Sequence, residues 1–420
     1  MSAPETDRPL PAGGTVGLAE IEAARELIRG VAIETPMEES RWLSSVVGGP
    51  VWLKCENLQR TGSFKARGAY VRLARLTAEE RARGVVAASA GNHAQGVALA
   101  AQLVGTRATV FMPEGAPIPK ERATRGYGAD VVFSGRYLED AMVAARAFAA
   151  ETGAVMIHPF DHIDVMAGQG TVGLEILDQV PDAASVLVPT GGGGLLAGVA
   201  LAVKARRPDV MVVGVQAKGA AAYPGSLAQG APVPLTSMKT MADGIAVGLP
   251  GDLTFAAVRD HVDEVVTVTE EEMSRALLAL VERAKMVVEP AGAAAVAALM
   301  ANPAAYPTPA VAVLSGGNVD PLLLGKVIQH GMAAAGRYLS LRVNIPDVPG
   351  GLAALLAEIS ACGGNVMEVV HERISPALNL DEVEVALQLE TRGAEHATAL
   401  ITRLRERGYR VAGDPLTPGP

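Results

Sequence analysis

The segment SVLVPTGGGGLLAGVALAV, residues 185–203, runs from a short apolar stretch through four consecutive glycines into a longer apolar stretch. The short stretch predicts a buried strand, and the stretch after the glycines predicts a helix. A strand, a tight turn and a helix in this order are typical of the parallel sheet of an α/β fold. Four glycines exceed what a turn requires, and they allow successive backbone N–H groups to converge on one anion. Residues 191–194 therefore predict a phosphate site at a helix N-terminus, with a ligand-free tight turn as the alternative.

The same alternation of apolar runs and helical periodicity extends from about residue 51 to residue 330. Further candidate strands are VWLKCE, GVVAAS, RATVFMP, ADVVFSG, AVMIHP, VMVVGVQ and AVAVLSGG. Candidate helices are HAQGVALAAQLVG, LEDAMVAARAFAAETG, LLAGVALAVKARRP and EEEMSRALLALVERAK. The pattern predicts an α/β architecture with a mostly parallel sheet, in which residues 53–150 could form a smaller lobe.

The pattern of predicted elements changes after Arg337. From Leu339 it reads strand, helix, strand, strand, helix, strand, which is the order of a ferredoxin-like domain. We therefore expect three parts. These are a disordered tail at residues 1–14, a main domain at residues 15–335 and a ferredoxin-like domain at residues 338–414.

The composition limits the possible partners and locations. The chain has 420 residues, of which 49% are hydrophobic and 19% charged, so two or three folded domains are expected. A net charge of −9 and the lack of a basic cluster argue against nucleic acid as a partner. The apolar stretches are too short to cross a membrane, and the polar, proline-rich start does not match a signal peptide. Cys55 and Cys362 lie in different predicted domains, which favours a reducing, cytoplasmic location over a disulfide framework.

Three further segments place polar groups at predicted strand ends or helix starts. TGSFKARGAY, residues 61–70, puts Lys65 at the start of a predicted helix, although most lysines are solvated surface residues. SAGNHAQG, residues 89–96, predicts a second set of N–H groups that suits a carboxylate, with a plain helix cap as the alternative. LSGGN, residues 314–318, places Ser315 at the carboxyl end of a strand, where ligands bind in open α/β sheets. Taken alone, Ser315 is a turn serine.

Together these segments predict one ligand that carries a phosphate, reacts with an amine and has polar edges. Pyridoxal phosphate has these parts. Its aldehyde forms an imine with an amine, and a cleft of low dielectric constant lowers the pKa of a lysine enough for that reaction. Lys65 is the candidate for this amine.

The segments SFKARGA, SAGNHAQG, TGGGGL and LSGGN resemble, in this order, the threonine dehydratase (threonine ammonia-lyase) branch of the fold-type II pyridoxal-phosphate enzymes. The resemblance covers about residues 20–330 and implies a two-lobed catalytic domain with parallel sheets. It also implies a homo-oligomer, either a dimer or a tetramer. The C-terminal βαββαβ domain resembles an ACT domain, an amino-acid-sensing unit that is often attached to these enzymes.

The resemblance implies a role for each matching residue. Lys65 matches the lysine that binds the cofactor and later removes the α-proton of the substrate. Asn92 matches the partner of the cofactor's phenolic oxygen, and Ser315 matches the partner of its pyridine nitrogen. The predicted cofactor site comprises Phe64, Lys65, Asn92, Gly191, Gly192, Gly193, Gly194, Leu195, Gly244, Glu289 and Ser315. The predicted site for the substrate carboxylate comprises Ser89, Ala90, Gly91, Asn92 and His93.

The implied reaction is β-elimination, which converts L-threonine to 2-oxobutanoate and ammonia, with L-serine as a further substrate. A serine at position 315 favours elimination over transamination, because a neutral partner does not force protonation of the pyridine ring. Ala90 stands where serine racemases of the family carry a second serine as a base, which argues against racemisation. The racemases' metal-binding carboxylates find no match in residues 216–222, so no metal site is expected there.

The resemblance to an ACT domain implies control by an amino-acid effector. NIPDVPGG, residues 344–351, matches the effector loop. The candidate effector residues are Asp347, Gly350, Gly351 and Asn365. A helix cap with a turn is the alternative for each residue, and the sequence leaves the identity of the effector open.

Three other functions remain open at this point. A serine-preferring dehydratase would differ only in the room that its pocket leaves for a methyl group. A regulatory amino-acid-binding protein would need no Lys65, Asn92 or Ser315. A nucleotide-binding protein would use the TGGGGL loop but leave the lysine and the LSGGN segment unexplained.

Overall fold

The computed structural model describes residues 16–373 and 381–412. The predicted disordered tail, residues 1–14, lies outside the described residues, as do the last two residues of the predicted C-terminal domain. The chain forms two compact units. One unit comprises Leu280–Asp320 and the residues up to Ala276, and the other comprises Leu277–Ala279 and the residues from Pro321 onward.

The secondary structure alternates between strands and helices along the first unit. The strands are β1 (Met37–Glu39), β2 (Val51–Lys54), β3 (Val85–Ala88), β4 (Ala108–Met112), β5 (Asp130–Phe133), β6 (Val155–Met156), β7 (Ser185–Pro189), β8 (Met211–Ala217), β9 (Glu264–Val268), β10 (Ala310–Val313), β11 (Tyr338–Pro346), β12 (Asn365–Glu372), β13 (Glu382–Glu390) and β14 (Arg410–Ala412). The helices are α1 (Leu18–Leu27), α2 (Arg41–Val47), α3 (Lys65–Ala74), α4 (Ala78–Arg83), α5 (Asn92–Val104), α6 (Ile118–Gly126), α7 (Leu138–Thr152), α8 (Ile163–Gln179), α9 (Gly194–Arg206), α10 (Ala222–Gln229), α11 (Asp252–His261), α12 (Glu270–Ala279), α13 (Ala294–Ala301), α14 (Pro321–Ala334), α15 (Gly351–Ala361) and α16 (Ala394–Glu406).

The first unit is built on two sheets. The larger has the order β1-β2-β10-β7-β8-β9 and is parallel throughout except for the antiparallel pair β1 and β2. The smaller is fully parallel and has the order β5-β4-β3-β6. The predicted α/β fold with mostly parallel sheets is confirmed. The sequence pattern does not predict β1 and β9, which are the two edge strands of the larger sheet.

The strand order places the predicted site segments at one edge of each sheet. The glycine loop follows β7, Ser315 lies two residues after β10, and the loop that begins at Ser89 follows β3. All residues of these three strands are buried. Parallel strands direct their carboxyl ends to the same edge, where the helix N-termini that follow them also lie.

The helix α8 lies at the centre of the first unit, with residues 164–177 all buried. It approaches α3 and α9 so closely that only glycine fits at the contacts. A Cβ on Gly168 would lie 2.6 Å from Cα of Gly68 in α3. A Cβ on Gly198 in α9 would lie 2.6 Å from the backbone nitrogen of Gly170. The sequence pattern does not predict α8.

A buried cluster of four charged side chains joins β2, α3 and α8. Arg67 is fully buried and donates hydrogen bonds of 2.8 Å to both carboxylate oxygens of Glu56. It also donates to both oxygens of Glu175, at 2.6 and 2.9 Å. Lys54 Nζ donates to the same Glu175 at 2.6 Å. Two cations and two anions balance, so the cluster meets the requirement that buried charges be paired.

The second unit contains a four-stranded antiparallel sheet with the order β12-β13-β11-β14. Two helices, α15 and α16, follow β11 and β13. Alternate residues of β11 and β13 are buried, and they pack with both helices in one core. The predicted ferredoxin-like βαββαβ order is confirmed. Within the described part of the chain, no helix combines the length and apolar character that a membrane crossing requires.

The glycine contact between α8 and α3 predicts a stability effect. Gly168→Ala should lower the free energy of unfolding by about 1–3 kcal/mol, because the methyl group would force the two helices apart. Gly225→Ala is the control, since Gly225 is an exposed residue of α10 and a Cβ there meets no atom within 4 Å. This control should raise stability by up to about 1 kcal/mol. Urea unfolding followed by circular dichroism measures both, and equal stabilities would contradict the contact.

Candidate active site

Lys65 is the first residue of α3 and follows a tight turn. The turn requires positive φ at Thr61 (64°) and Gly62 (71°), after which the chain enters the helix. Lys65 Nζ donates a 2.8 Å hydrogen bond to the carbonyl oxygen of Pro159. Burial lowers the pKa of this lysine to about 8, and the charge of Glu289 only partly opposes the shift. A substantial fraction of the amine is therefore neutral, and nucleophilic, near pH 8.

The glycine loop lies between β7 and α9 without space for side chains. Gly193 has a φ of 97°, and a Cβ on Gly192 would collide with the ring of Phe160. The carbonyl oxygen of Gly192 accepts hydrogen bonds from Thr254 (2.7 Å) and Tyr223 (3.3 Å). None of the N–H groups of Gly191–Gly194 donates to another described residue. The loop thus offers unpaired N–H groups at the N-terminus of a buried helix, and Leu195 lies buried within that helix.

A two-residue segment connects the lysine to the glycine loop. Pro159 accepts the hydrogen bond of Lys65, and Phe160, the next residue, packs against Gly192 and Gly194. The Phe64 ring centre lies 5.3 Å from Lys65 Nζ. The structure therefore brings the predicted amine and the predicted phosphate cradle into one site.

Asn92 and Glu289 form a second part of the site. Asn92 Nδ2 donates to Glu289 Oε1 at 2.7 Å, and Asn92 Oδ1 accepts from Asn318 Nδ2 at 2.8 Å. Burial raises the pKa of Glu289 to about 7, and the charge of Asp243 raises it further, while Lys120 and Asn92 oppose the shift. Gly244 lies against this carboxyl group, since a Cβ there would be 3.3 Å from Glu289 Oε1.

Ser315 lies in a turn that contacts the segment before Lys65. Its carbonyl oxygen accepts a 3.2 Å hydrogen bond from the backbone nitrogen of Phe64, and Ser63 forms a β-bridge with Gly316. Ser315 is 3% exposed. The hydroxyl of Ser63 is also buried and has no hydrogen-bond partner among the described residues. The sequence motif contains Ser63, but the sequence alone does not show that its hydroxyl is left unpaired.

The predicted carboxylate loop contains no charged group. Ser89 Oγ accepts a 3.1 Å hydrogen bond from the backbone nitrogen of Gly91, which shapes the turn around Ala90. His93 Nε2 lies 2.9 Å from the carbonyl oxygen of Ile157. Burial lowers the pKa of His93 to about 3, and the charge of Lys65 lowers it further, so this imidazole is neutral. Its contact with Ile157 directs it into the protein.

One residue that sequence analysis missed borders this loop. Lys120 lies in α6, is largely buried and pairs with Asp243 at 2.5 Å. The two residues are 123 positions apart, so no local pattern indicates their contact.

The predicted effector residues lie in the second unit. Asp347 and Gly350 line a cavity of about 530 Å³ together with His371 and Arg373. Arg373 Nη2 lies 3.3 Å from Asp347 Oδ1. Gly351 is the first residue of α15. Asn365 is outside the residues lining the cavity, and it donates instead to Glu390 at 3.2 Å.

The residues of the first unit fit the cofactor that the sequence predicts. The amine with a lowered pKa suits an aldehyde, and the unpaired N–H groups of the glycine loop suit a phosphate. The unpaired Ser63 hydroxyl shows that hydrogen-bonding capacity remains close to Lys65.

Comparison with known proteins agrees with this site. Residues 28–316 match the family model described as "Pyridoxal-phosphate dependent enzyme". The chain is 47% identical to the L-threonine ammonia-lyase of Geobacter sulfurreducens over 93% of this chain and 98% of that protein. It is 44% identical to the L-threonine ammonia-lyase of Thermotoga maritima over 94% of this chain and 99% of that protein. The crystal structure of the T.th. threonine deaminase is 44% identical, with a TM-score of 0.70, and the match covers 72% of this chain and 99% of that one.

The family match covers more than half of the chain, and its limits enclose Lys65, the glycine loop and Ser315. The relatives match along nearly their full lengths. The chain therefore belongs to the family of pyridoxal-phosphate-dependent enzymes, and pyridoxal phosphate is its cofactor.

Proposed function

We propose that the chain is a threonine ammonia-lyase, which converts L-threonine to 2-oxobutanoate and ammonia by β-elimination and also accepts L-serine. The observation that carries this proposal is the amine of Lys65. It is part-buried, has a pKa lowered to about 8 and lies in one site with the glycine loop. Relatives named L-threonine ammonia-lyase match along nearly the whole chain, which supports the choice of substrate.

The residues that would hold the cofactor each have a suitable group. The N–H groups of Gly191–Gly194 would bind the phosphate, and the Ser315 hydroxyl would face the pyridine nitrogen. Asn92 would donate to the phenolic oxygen. Its amide is oriented by Glu289 on one side and Asn318 on the other, and this leaves the second hydrogen of Nδ2 for the cofactor.

The chemistry divides between the cofactor and Lys65. When bound, pyridoxal phosphate withdraws electrons and thereby stabilises negative charge at the α-carbon of the substrate. The neutral amine of Lys65 accepts the α-proton, and a pKa of about 8 lets the amine both take up and release a proton near neutral pH. The N–H groups from Ser89 to His93 would bind the substrate carboxylate.

Two residues favour elimination over other reactions of the family. Ser315 offers a neutral hydroxyl, which does not hold a proton on the pyridine nitrogen as a carboxylate would. Ala90 has no side-chain group that could act as a second base, which argues against racemisation. A serine-preferring dehydratase is the second candidate within the same reaction class, and it would differ in the space around the substrate's β-carbon.

We further propose that the second unit is an ACT-like regulatory domain at residues 338–414, and that residues 15–335 form the catalytic domain. The ferredoxin-like order of β11 to β14 supports this assignment. An amino-acid effector would bind in the cavity beside Asp347 and Gly350, where Arg373 can pair with a carboxylate and Asp347 with an ammonium group. The proposal leaves Asn365 out of that cavity.

Replacing Lys65 tests the proposed reaction. Lys65→Ala should lower kcat by about 10³-fold or more, since both the amine and the base are lost. Lys65→Arg is the matched control: it keeps a positive charge but lacks a primary amine, so it should be equally inactive. The readout is 2-oxobutanoate formed from L-threonine. Substantial residual turnover in either variant would contradict the role of Lys65.

The lowered pKa of Lys65 predicts a pH dependence that does not rely on turnover. The neutral amine is the nucleophile, so reaction of the apoenzyme with pyridoxal phosphate should accelerate as the pH rises and level off above about 8. Borohydride trapping and mass spectrometry locate the modified lysine. The exposed Lys285 should instead show a continued rise towards about pH 10, as an ordinary lysine does. The same profile at both lysines would contradict the assignment.

Ser315→Asp should reduce elimination by about tenfold or more, corresponding to about 1.4 kcal/mol, because a carboxylate would hold a proton on the pyridine ring. Ser315→Ala stays neutral and should therefore be the milder change. Product analysis should show more transamination in the Asp variant only. Identical product ratios in the two variants would argue against the proposed contact of Ser315 with the pyridine nitrogen.

The cavity of the second unit is tested with L-isoleucine and L-valine as probes. Asp347→Asn should weaken the response to the effective amino acid by about tenfold, as expected for loss of a charge-assisted contact. Arg403→Met removes an ion pair with Glu358 elsewhere in the unit and should leave the response unchanged. An undiminished response in the Asp347 variant would place the effector site elsewhere.

A further inference from the structure

The lysine of α6 lies next to the loop predicted to bind a carboxylate. Lys120 is 9% exposed, and its Nζ lies 3.9 Å from the position that a Cβ on Gly91 would occupy. No other heavy atom of the described residues lies within 4 Å of that position, apart from the chain neighbours of Gly91. The ammonium group therefore borders open space beside the N–H groups of the loop.

A single carboxylate holds this ammonium group. Lys120 Nζ lies 2.5 Å from Asp243 Oδ2, which is its side-chain partner among the described residues. The partners differ in hydration, because the side chain of Lys120 is 11% exposed and that of Asp243 is 56% exposed. Asp243 could return to water at little cost, whereas an unpaired buried ammonium would lose its hydration without compensation. Lys120 is thus suited to exchange one carboxylate for another.

The predicted carboxylate loop supplies no cation of its own. Its residues from Ser89 to Asn92 are uncharged, and burial followed by the charge of Lys65 lowers the pKa of His93 to about 3. His93 Nε2 is also occupied by the carbonyl oxygen of Ile157. Hydrogen bonds to a carboxylate are stronger when the donor is charged. Lys120 is the cation that borders this loop.

The charges around the open space also favour an exchange. Asp243 raises the pKa of Glu289 and Lys120 lowers it, so these three groups lie within electrostatic reach of one another. If a ligand carboxylate took the place of Asp243 beside Lys120, the ammonium would remain paired and the charge near Glu289 would change little. Simple loss of Asp243 would leave the ammonium alone.

We propose that Lys120 binds the carboxylate of the amino-acid substrate, and that this carboxylate displaces Asp243 from the ammonium group. The proposal rests on the function proposed above for the site. Lys120 belongs to the connection between β4 and β5 of the smaller sheet, and Asp243 to the connection between β8 and β9 of the larger one. Substrate binding therefore breaks an ion pair between the two halves of the catalytic unit.

The experiment uses glycine and glycinamide with the enzyme loaded with pyridoxal phosphate. Glycine carries an amine and a carboxylate but no β-hydroxyl, and glycinamide lacks the carboxylate. The change in cofactor absorbance gives the Kd of each ligand. Lys120→Met, which keeps the length of the side chain but not its charge, should raise the Kd of glycine by about tenfold or more. The Kd of glycinamide should stay within about twofold, because it makes no charge-assisted contact.

A second variant tests the displacement. Asp243→Asn removes the competing carboxylate, so the Kd of glycine should fall while that of glycinamide stays the same. Lys204→Met is the matched control, since Lys204 is 15% exposed and forms a 2.7 Å ion pair with Asp263 in another part of the unit. This control should change neither Kd.

A purely structural ion pair would give a different pattern. Lys120→Met and Asp243→Asn would then weaken glycine and glycinamide alike, and that result would overturn the proposal. With L-threonine, Lys120→Met should raise KM about tenfold and change kcat less than about threefold, as expected for a contact made equally before and during the reaction. If the unaltered enzyme forms no 2-oxobutanoate from L-threonine, the proposed function fails, but the glycine and glycinamide titrations still decide the role of Lys120.

Discussion

The paired charges around Arg67 fix the position of the helix that begins with Lys65. Arg67 is fully buried two residues after Lys65, and its guanidinium group can satisfy Glu56 and Glu175 only when β2, α3 and α8 have one relative arrangement. Leaving one of these charges unpaired would cost about 3–5 kcal/mol. The glycine contacts of α8 act with this cluster, because they allow the helices to approach closely enough for the ion pairs to form. The catalytic lysine therefore lies at the end of a rigidly held helix.

The site depends on two buried basic groups in opposite environments. Burial lowers the pKa of Arg67, but the charges of Glu56 and Glu175 reverse the effect and raise it above its ordinary value. Burial also lowers the pKa of Lys65, and there only the charge of Glu289 opposes it, so the result is a pKa of about 8. Within three residues, the same desolvation thus serves a permanent charge that holds the structure and an amine that can lose its proton.

The sequence predicts the central strands well because strands buried on both faces read as short, continuous apolar runs. The edge strands β1 and β9 have exposed residues and lack this signal. Helix α8 is also missed, because its glycines at 168, 170 and 173 weaken a helix prediction while serving its close packing. Lys65, the glycine loop and Ser315 are predicted because each follows a recognisable local pattern. The pairing of Lys120 with Asp243 is not, because it depends on a contact between distant segments.

The position of β10 has a consequence for the order in which the chain can fold during synthesis. Among the described strands, the parallel neighbour of β2 is β10, which lies more than 250 residues further along and joins the pair β1 and β2 to β7. Lys65 follows β2 and the glycine loop follows β7, so the sheet that positions them together is complete only after β10 leaves the ribosome. The smaller sheet has no such requirement, because β3 to β6 all lie within residues 85–156. That sheet can form early, whereas the active site is among the last features of the catalytic unit to assemble.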